Sequence, residues 1–590
     1  MGNNNELPVS VSGSTVGAPM RLGHLPLVMG VFRNIRMGDI IDHAIGQHAK
    51  SDVSTGECVA TILAGVFSGA HSLWRLRERL TPYDMRTVMQ DATYDLDKFN
   101  EERLAKGLDD IYAFGTDKIM TAVAIQMIKA YDIGVDTFSF DTTSLSFFGA
   151  YEREDPWTLL PNMPPPPVVT YGHSKIRRPD LKQIMFGMLT SRDGGVPLMG
   201  KALDGNLSDS HAAAQFFGRI RELVADPSTV TCVGDSKAWC ARVIAVTSKE
   251  RMRLVSRLPR TRKLHATLMA EVWKPERVVE ASQRPGKSAD RYEIMGFDAV
   301  ESFEFDEAQA DGSVTQRTLK VPVRAVRVYS TALLRTKMAT IDRLCSREEK
   351  AARKQILDWQ DAAYACQTDA QRAADRHTSQ ADYSTLDITA VVVSHNGPSA
   401  RGRGRPRQRP EPALAATKHW RVRYTAKPIT KDQISLRLHE QASFVVIRTC
   451  HPGWEMTDTD LVMCYKGQYQ IEHGFSWLKS NAEINPVFIH TPHRIAALCC
   501  VYCLGLMLWT IIQRTVRANL RTWKTGLPYH RNKPSANITT RFLFELFPSV
   551  STVPLTTNGV TTAHLAGFTD IHDLACRAAG IPREVYKSVW

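Results

Sequence analysis

The chain has 590 residues, too many for one simple core, so two to four domains are expected. A hydrophobic content of 43% and a charged content of 23% are ordinary for a globular protein and exclude a fibrous or low-complexity chain. The formal net charge of +13 and a pI near 9.2 favour an anionic partner, with nucleic acid ahead of a membrane surface.

Residues 1–20 are polar, read as disordered, and carry no secretory signal. Glu6 breaks the myristoylation pattern that Gly2 would begin. From 21 to 130 the pattern is helical: CVATILAGVFSG and MTAVAIQMIKAYD repeat apolar residues at helical spacing. Such a domain could bind DNA ends, cap a catalytic domain or dimerise. From 131 the period changes to two. VDTFSFD places Thr137, Ser139 and Asp141 on one face and Phe138 and Phe140 on the other, with Asp141 expected at a strand end. KQIMFGMLTS and GVPLMGKALDG read as two further strands, AAAQFFGRIRELVAD as a helix, and TVTCVGD as a strand ending at Asp235. Strand–strand–strand–helix–strand is the order of an RNase H-like domain. Its first part is assigned to 131–250 and its second to 441–525.

The 251–440 stretch between them is expected to be an insertion. MRLVSRLPR and VPVRAVRVYS read as strands within it, and SREEKAARKQILDWQDAAYACQTDAQRAADRH as a charged helical segment. Trp273 and Tyr292 read first as core residues and second as rings for stacking on a base. The basic 396–412 stretch (NGPSARGRGRPRQRPEP) cannot fold alone and reads as a linker attracted to phosphate. Arg403 and Arg405, in Arg-Gly-Arg-Pro, also resemble the core of an AT-hook that enters a narrow minor groove. Ile495–Ile512 is apolar for about one membrane thickness. It follows a helix that needs a packing partner, and reads as a buried helix rather than a membrane span. Residues 526–590 form a C-terminal region with no assigned role. The eleven cysteines are scattered and read as reduced core thiols suited to a cytosol. Cys500 and Cys503 form the one C-x-x-C, with no second pair to complete a zinc site.

The segment YKGQYQIEHGFSWLK is the most informative. Tyr465, Gln468, Glu472 and Lys479 fall within about 60° of one another at 100° per residue, a narrow stripe on a single helix. Ile471, Phe475 and Leu478 form an apolar stripe beside it. With Asp141 and Asp235, Glu472 completes three carboxylates from distant segments, the set that two divalent ions need for phosphoryl transfer on nucleic acid.

Tyr465-x2-Gln468-x3-Glu472-x6-Lys479 resembles the Tyr-x2-Arg-x3-Glu-x6-Lys signature of bacterial insertion-sequence DDE transposases, with Gln468 in the arginine position. YGHSKIRRPDLKQ (171–183), GNLSD (205–209), both aspartate segments and LGHLPLVMGVFRNIRMGDIIDHAI are similar to the same family, over roughly residues 20–520. The resemblance implies an α/β fold: an RNase H-like mixed sheet with helices, interrupted by a large, mainly β insertion, after an N-terminal helical domain. It implies Asp141, Asp235 and Glu472 as catalytic and metal-binding residues, with Asp141 bridging two Mg²⁺ ions, for which Mn²⁺ can substitute. Tyr465 and Lys479 would contact DNA phosphate, and Lys175 and Arg178 would lie near the active face, holding DNA or pairing with Asp180. The implied function is metal-dependent cleavage and strand transfer at the ends of an insertion sequence. The partners are double-stranded DNA (terminal inverted repeats and target) and a second copy, in a homodimer or larger synaptic assembly. No membrane is involved, and the location is the bacterial cytoplasm, at the nucleoid. The alternatives are a non-catalytic DNA-binding relic or repressor, toward which Gln468 points, and an RNase H-like nuclease without strand transfer.

Overall fold

The computed structural model describes residues 10–11, 14–46, 51–69, 72–149, 151, 163–175, 177–280, 290–308, 314–381, 385–397, 417–480, 491–529 and 533–590. The chain divides into two compact units. The first comprises Met1–Pro259, Asp298–Arg324 and Ile447–Trp590, the second Arg260–Phe297 and Ala325–Val446.

In the first unit, α1 (Leu25–Asn34), α2 (Met37–Ile45), α3 (Thr55–Ser68), α4 (Glu101–Phe114) and α5 (Thr116–Tyr131) come first. Helix α3 starts where its sequence dictates. Ser54 Oγ accepts the Glu57 N–H and Glu57 accepts the Ser54 N–H, a reciprocal cap that contributes about 1 kcal/mol. It stops at Gly69, whose φ of 87° lies in the left-handed region. A Cβ on Gly107 of α4 would stand 2.9 Å from Cys58 Cβ, so glycine there permits the close α3–α4 approach.

The sheet of this unit is mixed. Strands β1 (Thr137–Phe147), β2 (Lys182–Ser191) and β3 (Pro197–Leu203) form an antiparallel meander. After α6 (Asp209–Gly218), β4 (Thr231–Gly234) returns parallel to β1. After α7 (Ala241–Lys249), β5 (Arg253–Arg257) lies parallel to β4. The order is therefore β3-β2-β1-β4-β5. The Thr449 end of β6 (Ser443–Thr449) follows, its hydroxyl accepting the Leu254 N–H at 3.0 Å. Helices α8 (Asp458–Lys466), α9 (Tyr469–Ser480) and α10 (Pro492–Thr522) complete the core. By length and composition α10 could cross a membrane, but 89% of its apolar window is buried in the protein. Cys503 explains part of that burial: a Cβ on Gly200 of β3 would stand 2.7 Å from its sulfur. Asp109 of α4 anchors the start of α10, accepting Arg494 Nε at 2.7 Å and lying 3.0 Å from His493 Nε2. Burial alone would raise the pKa of Asp109, but these bonds outweigh it and hold the carboxyl well below its usual range.

The segment expected to be disordered holds described strands at Ser10–Val11 and Ser14–Val16 and the start of one at Met20–Arg21. Ser14–Val16 pairs with Leu555–Thr557, and Met20–Arg21 with Ser551–Thr552. Their partners lie more than 500 residues away, so local composition held no trace of the pairing. The C-terminal region also reaches the N-terminal helices: Asp84 accepts the Thr552 hydroxyl and the Trp590 indole N–H, both at 2.9 Å.

His24 stacks on Phe544 at 3.9 Å with its Nε2 2.9 Å from the Phe67 carbonyl. Burial pushes its pKa down to about 4, partly offset by the Phe67 bond. The unfolded chain therefore takes up a proton first, and stability falls as pH drops from about 6.5 toward 4, by at most about 3 kcal/mol. Chemical denaturation of His24→Phe, which keeps the stack, is expected to show a shallower acid loss than wild type between those pH values. Equal slopes would remove His24 from the acid response.

The second unit departs from the expected mainly β insertion. It holds helices Lys263–Ala270, Thr331–Gln360, Gln367–Gln380 and Lys431–Gln441 beside its strands, because the charged segment extends into a 30-residue helix. Its boundaries also differ from 251–440, since Asp298–Arg324 belongs to the first unit. Tyr292 is buried, and Trp273 packs against Tyr329 and His439 with Arg327 4.8 Å above its ring, so both act as packing residues here.

Candidate active site

The alternation of β1 decides which way its carboxylate points. Phe140 packs on Phe216 and Phe217 of α6 at 4.9 and 5.8 Å. Asp141 therefore faces the opposite side of the sheet. It stands within β1 rather than at its end, since the strand continues to Phe147. Ser139 pairs with Val233 on parallel β4, and two residues farther along each strand stand Asp141 and Asp235. Strand β4 ends at Gly234, and Asp235 caps a short turn by accepting the Lys237 N–H at 2.9 Å.

Burial pushes the Asp141 carboxyl up to about 6. Lys175 and the Thr142 N–H oppose that rise, and the charges of Asp235 and Asp209 add to it. Asp235 is raised as well, by burial first and then by Asp209, against the Lys237 N–H and Lys175. Three acids thus share one field. Asp209 lies in GNLSD, where it looks like an ordinary first-turn acid after the Ser208 helix cap. Lys175 Nζ lies 3.5 Å from Asp141 and 3.3 Å from Asp209, and donates to the Thr142 carbonyl and hydroxyl at 2.7 Å. Lys175 is therefore a member of the acid cluster.

Two glycines bring these loops together. A Cβ on Gly172 would meet the Gly205 carbonyl oxygen at 2.1 Å, and one on Gly205 the Gln183 carbonyl oxygen at 2.0 Å. YGHSK and GNLSD, separate in sequence, thus meet backbone to backbone, and that contact sets Lys175 against Asp209.

The third acid is arranged differently from the expected single stripe. The helix breaks at Gly467–Gln468 into α8 and α9, with tight i→i+3 bonds from Gln468 N–H to Tyr465 and from Ile471 N–H to Gln468. Glycine's weak helical preference places the break there. Helix α9 lies over β2: a Cβ on Gly474 would stand 3.0 Å from Met188, the residue paired with Asp141. Glu472 is exposed. Tyr465 is pushed up to about 12, by burial foremost, and feels Asp235, Glu472 and Asp141 together, with Arg257 opposing them. Lys479 is lowered by burial and by Lys175, with Asp141 acting the other way. Tyr465 and Lys479 thus bracket the acids, while Arg257, at the end of β5, is a neighbour that sequence reading did not single out.

Arg178 is turned to Asp180, donating from Nε at 2.8 Å and Nη2 at 2.7 Å. Arg403 and Arg405 lie outside the described residues. Among the described residues no three His, Cys, Asp or Glu side chains converge into a ready-made metal cage. The Asp141–Asp235 pair nevertheless suits a hard divalent cation: both carboxyls are raised by burial first and by acidic neighbours second, and nearby positive charge favours their ionised forms.

Residues 18–125 match a family described as a domain of unknown function, DUF4277, which takes in α1–α4 and most of α5. No curated protein matches the chain. Among solved structures the chain is similar to a piggyBac transposase in a synaptic complex with hairpin DNA. The identity is 10% over 90% of this chain and 82% of that chain, with a TM-score of 0.30. Backbones so divergent transfer no residue role.

Proposed function

We propose that this chain is a DDE transposase with an RNase H-like core, cutting and joining double-stranded DNA at the ends of an insertion sequence. One observation carries the reading: Asp141 in β1 and Asp235, just past the end of the adjacent parallel β4, lie within reach of each other's charge, with Tyr465 in the field of both and of Glu472. Asp141 and Asp235 would hold Mg²⁺ or Mn²⁺, with Glu472 as the further carboxylate. The ion would supply an activated water or 3′-hydroxyl and charge relief at the leaving oxygen. Lys479 and Lys175 bind the phosphate, and the Tyr465 phenol, protonated at neutral pH, donates to a non-bridging oxygen. Two ends must be handled together, so the active form is at least a dimer, working in the cytoplasm at the nucleoid.

The second reading, a non-catalytic DNA-binding relic, is favoured by Gln468 in the arginine position and by the exposure of Glu472. Linear DNA bearing the repeats that flank the gene distinguishes the two. With Mg²⁺, wild type is expected to cut at the repeat ends and Asp235→Asn to bind the same DNA without cutting. End-specific binding without cutting by either protein would establish the relic.

A further inference from the structure

The second unit carries a three-stranded sheet whose two long strands, Leu386–Gly397 and Thr417–Pro428, form a ribbon antiparallel from the Leu386–Pro428 pair to the Gly397–Thr417 pair, with the short strand Ala363–Tyr364 on the other side of Arg421 and Trp420. Its two faces are unlike. Ile388, Ala390 and Val392 on one strand, with Trp420, Val422 and Tyr424 on the other, pack on Ile356, Trp359, Ala370 and Ala374 of the two long helices. Side chains alternate along a strand, so the odd-numbered residues form the opposite face. Arg421, Arg423 and Lys427 lie there, all exposed, with Val391 59% exposed opposite Arg423. Among the described residues none of the three cations pairs with a carboxylate. Asp387, across from Lys427, is the one acid on this face, so its net charge is positive.

We propose that this face is a duplex-DNA binding surface, separate from the acid cluster, that follows the phosphate backbone. Cations two residues apart on one strand recur roughly every 7 Å. Twelve residues span about 40 Å, a little over one turn of duplex. The packed face fixes the ribbon on its helices, so the charges are presented without ordering a disordered strand on binding.

The test is binding of the full-length protein to a duplex of arbitrary sequence without divalent metal, at several salt concentrations. Arg421→Ala/Arg423→Ala/Lys427→Ala is expected to flatten the plot of log affinity against log salt by about 2–3 units and to weaken binding at least about tenfold at low salt. Arg421→Lys/Arg423→Lys is expected to keep the wild-type slope. An unchanged slope and affinity in a triple variant with the wild-type circular dichroism spectrum would overturn the proposal. So would tighter binding of single strands than of duplex at equal phosphate. Because no cutting is measured, a failure of the transposase reading leaves this result standing, and the reverse holds too.

Discussion

Asp141→Asn is expected to lose metal-dependent cleavage by at least about 1,000-fold, equivalent to about 4 kcal/mol of barrier, while raising the melting temperature. Both effects have one cause. Burial pushes the folded carboxyl up to about 6, from 3.8 when free. Between those values the folded state keeps a proton that the unfolded chain has released, so stability falls as pH rises through that window. Above pH 6 the full cost is present, up to about 3 kcal/mol. Asparagine keeps the shape and can still accept the Thr142 N–H bond, made at 2.7 Å in the wild type, but removes the charge. The variant should melt a few degrees higher at pH 7, and the gap should close near pH 4. Thermal melts at both pH values and single-turnover cleavage at pH 7 check the pair of effects. A variant that melts lower at pH 7, or that still cuts, would remove Asp141 from the centre.

Gly205→Ala is expected to cost at least about 3–5 kcal/mol and to abolish cleavage with it. The added Cβ would stand 2.0 Å from the Gln183 carbonyl oxygen and 2.8 Å from that of Thr170. Both are backbone atoms, so no rotamer change relieves the clash. The reciprocal Thr170–Gln183 bonds, at 3.1 and 2.9 Å, would open and carry the Lys175 loop away from Asp209. Gly218→Ala is the control, because its Cβ meets Val246 at 3.7 Å, an ordinary contact. Urea midpoints should drop sharply for the first variant and stay level for the second. A level midpoint for both would show that the loops can yield.

Strand β1 and its acid were legible because alternation of Phe138 and Phe140 with Ser139 and Asp141 is a local signal that a half-buried strand imposes. The β4 strand, ending just before Asp235, was legible for a similar reason: an apolar run stopped by Gly-Asp. The break at Gly467 was not, because spacings of 3, 4 and 7 fit a continuous helix as well as two helices joined by a tight turn. Lys175 and Asp209 were each inside a recognisable segment, but their pairing depends on two glycines meeting across 33 residues of chain. In the second unit the charged 346–377 segment was legible as helix, while the short helices Lys263–Ala270 and Lys431–Gln441 were not.

The bonds joining Asp84 to Thr552 and Trp590 set a timetable for the chain's birth. At roughly 5–20 residues per second, the ribosome adds Thr552 about 20–90 s after Asp84. Until then Asp84 lacks both partners, and Ser14–Val16 and Met20–Arg21 lack the strand they pair with. These contacts of the N-terminal region therefore form only once residues 551–590 have been made. A product lacking residues 551–590 would leave Asp84 and these two strands without those partners.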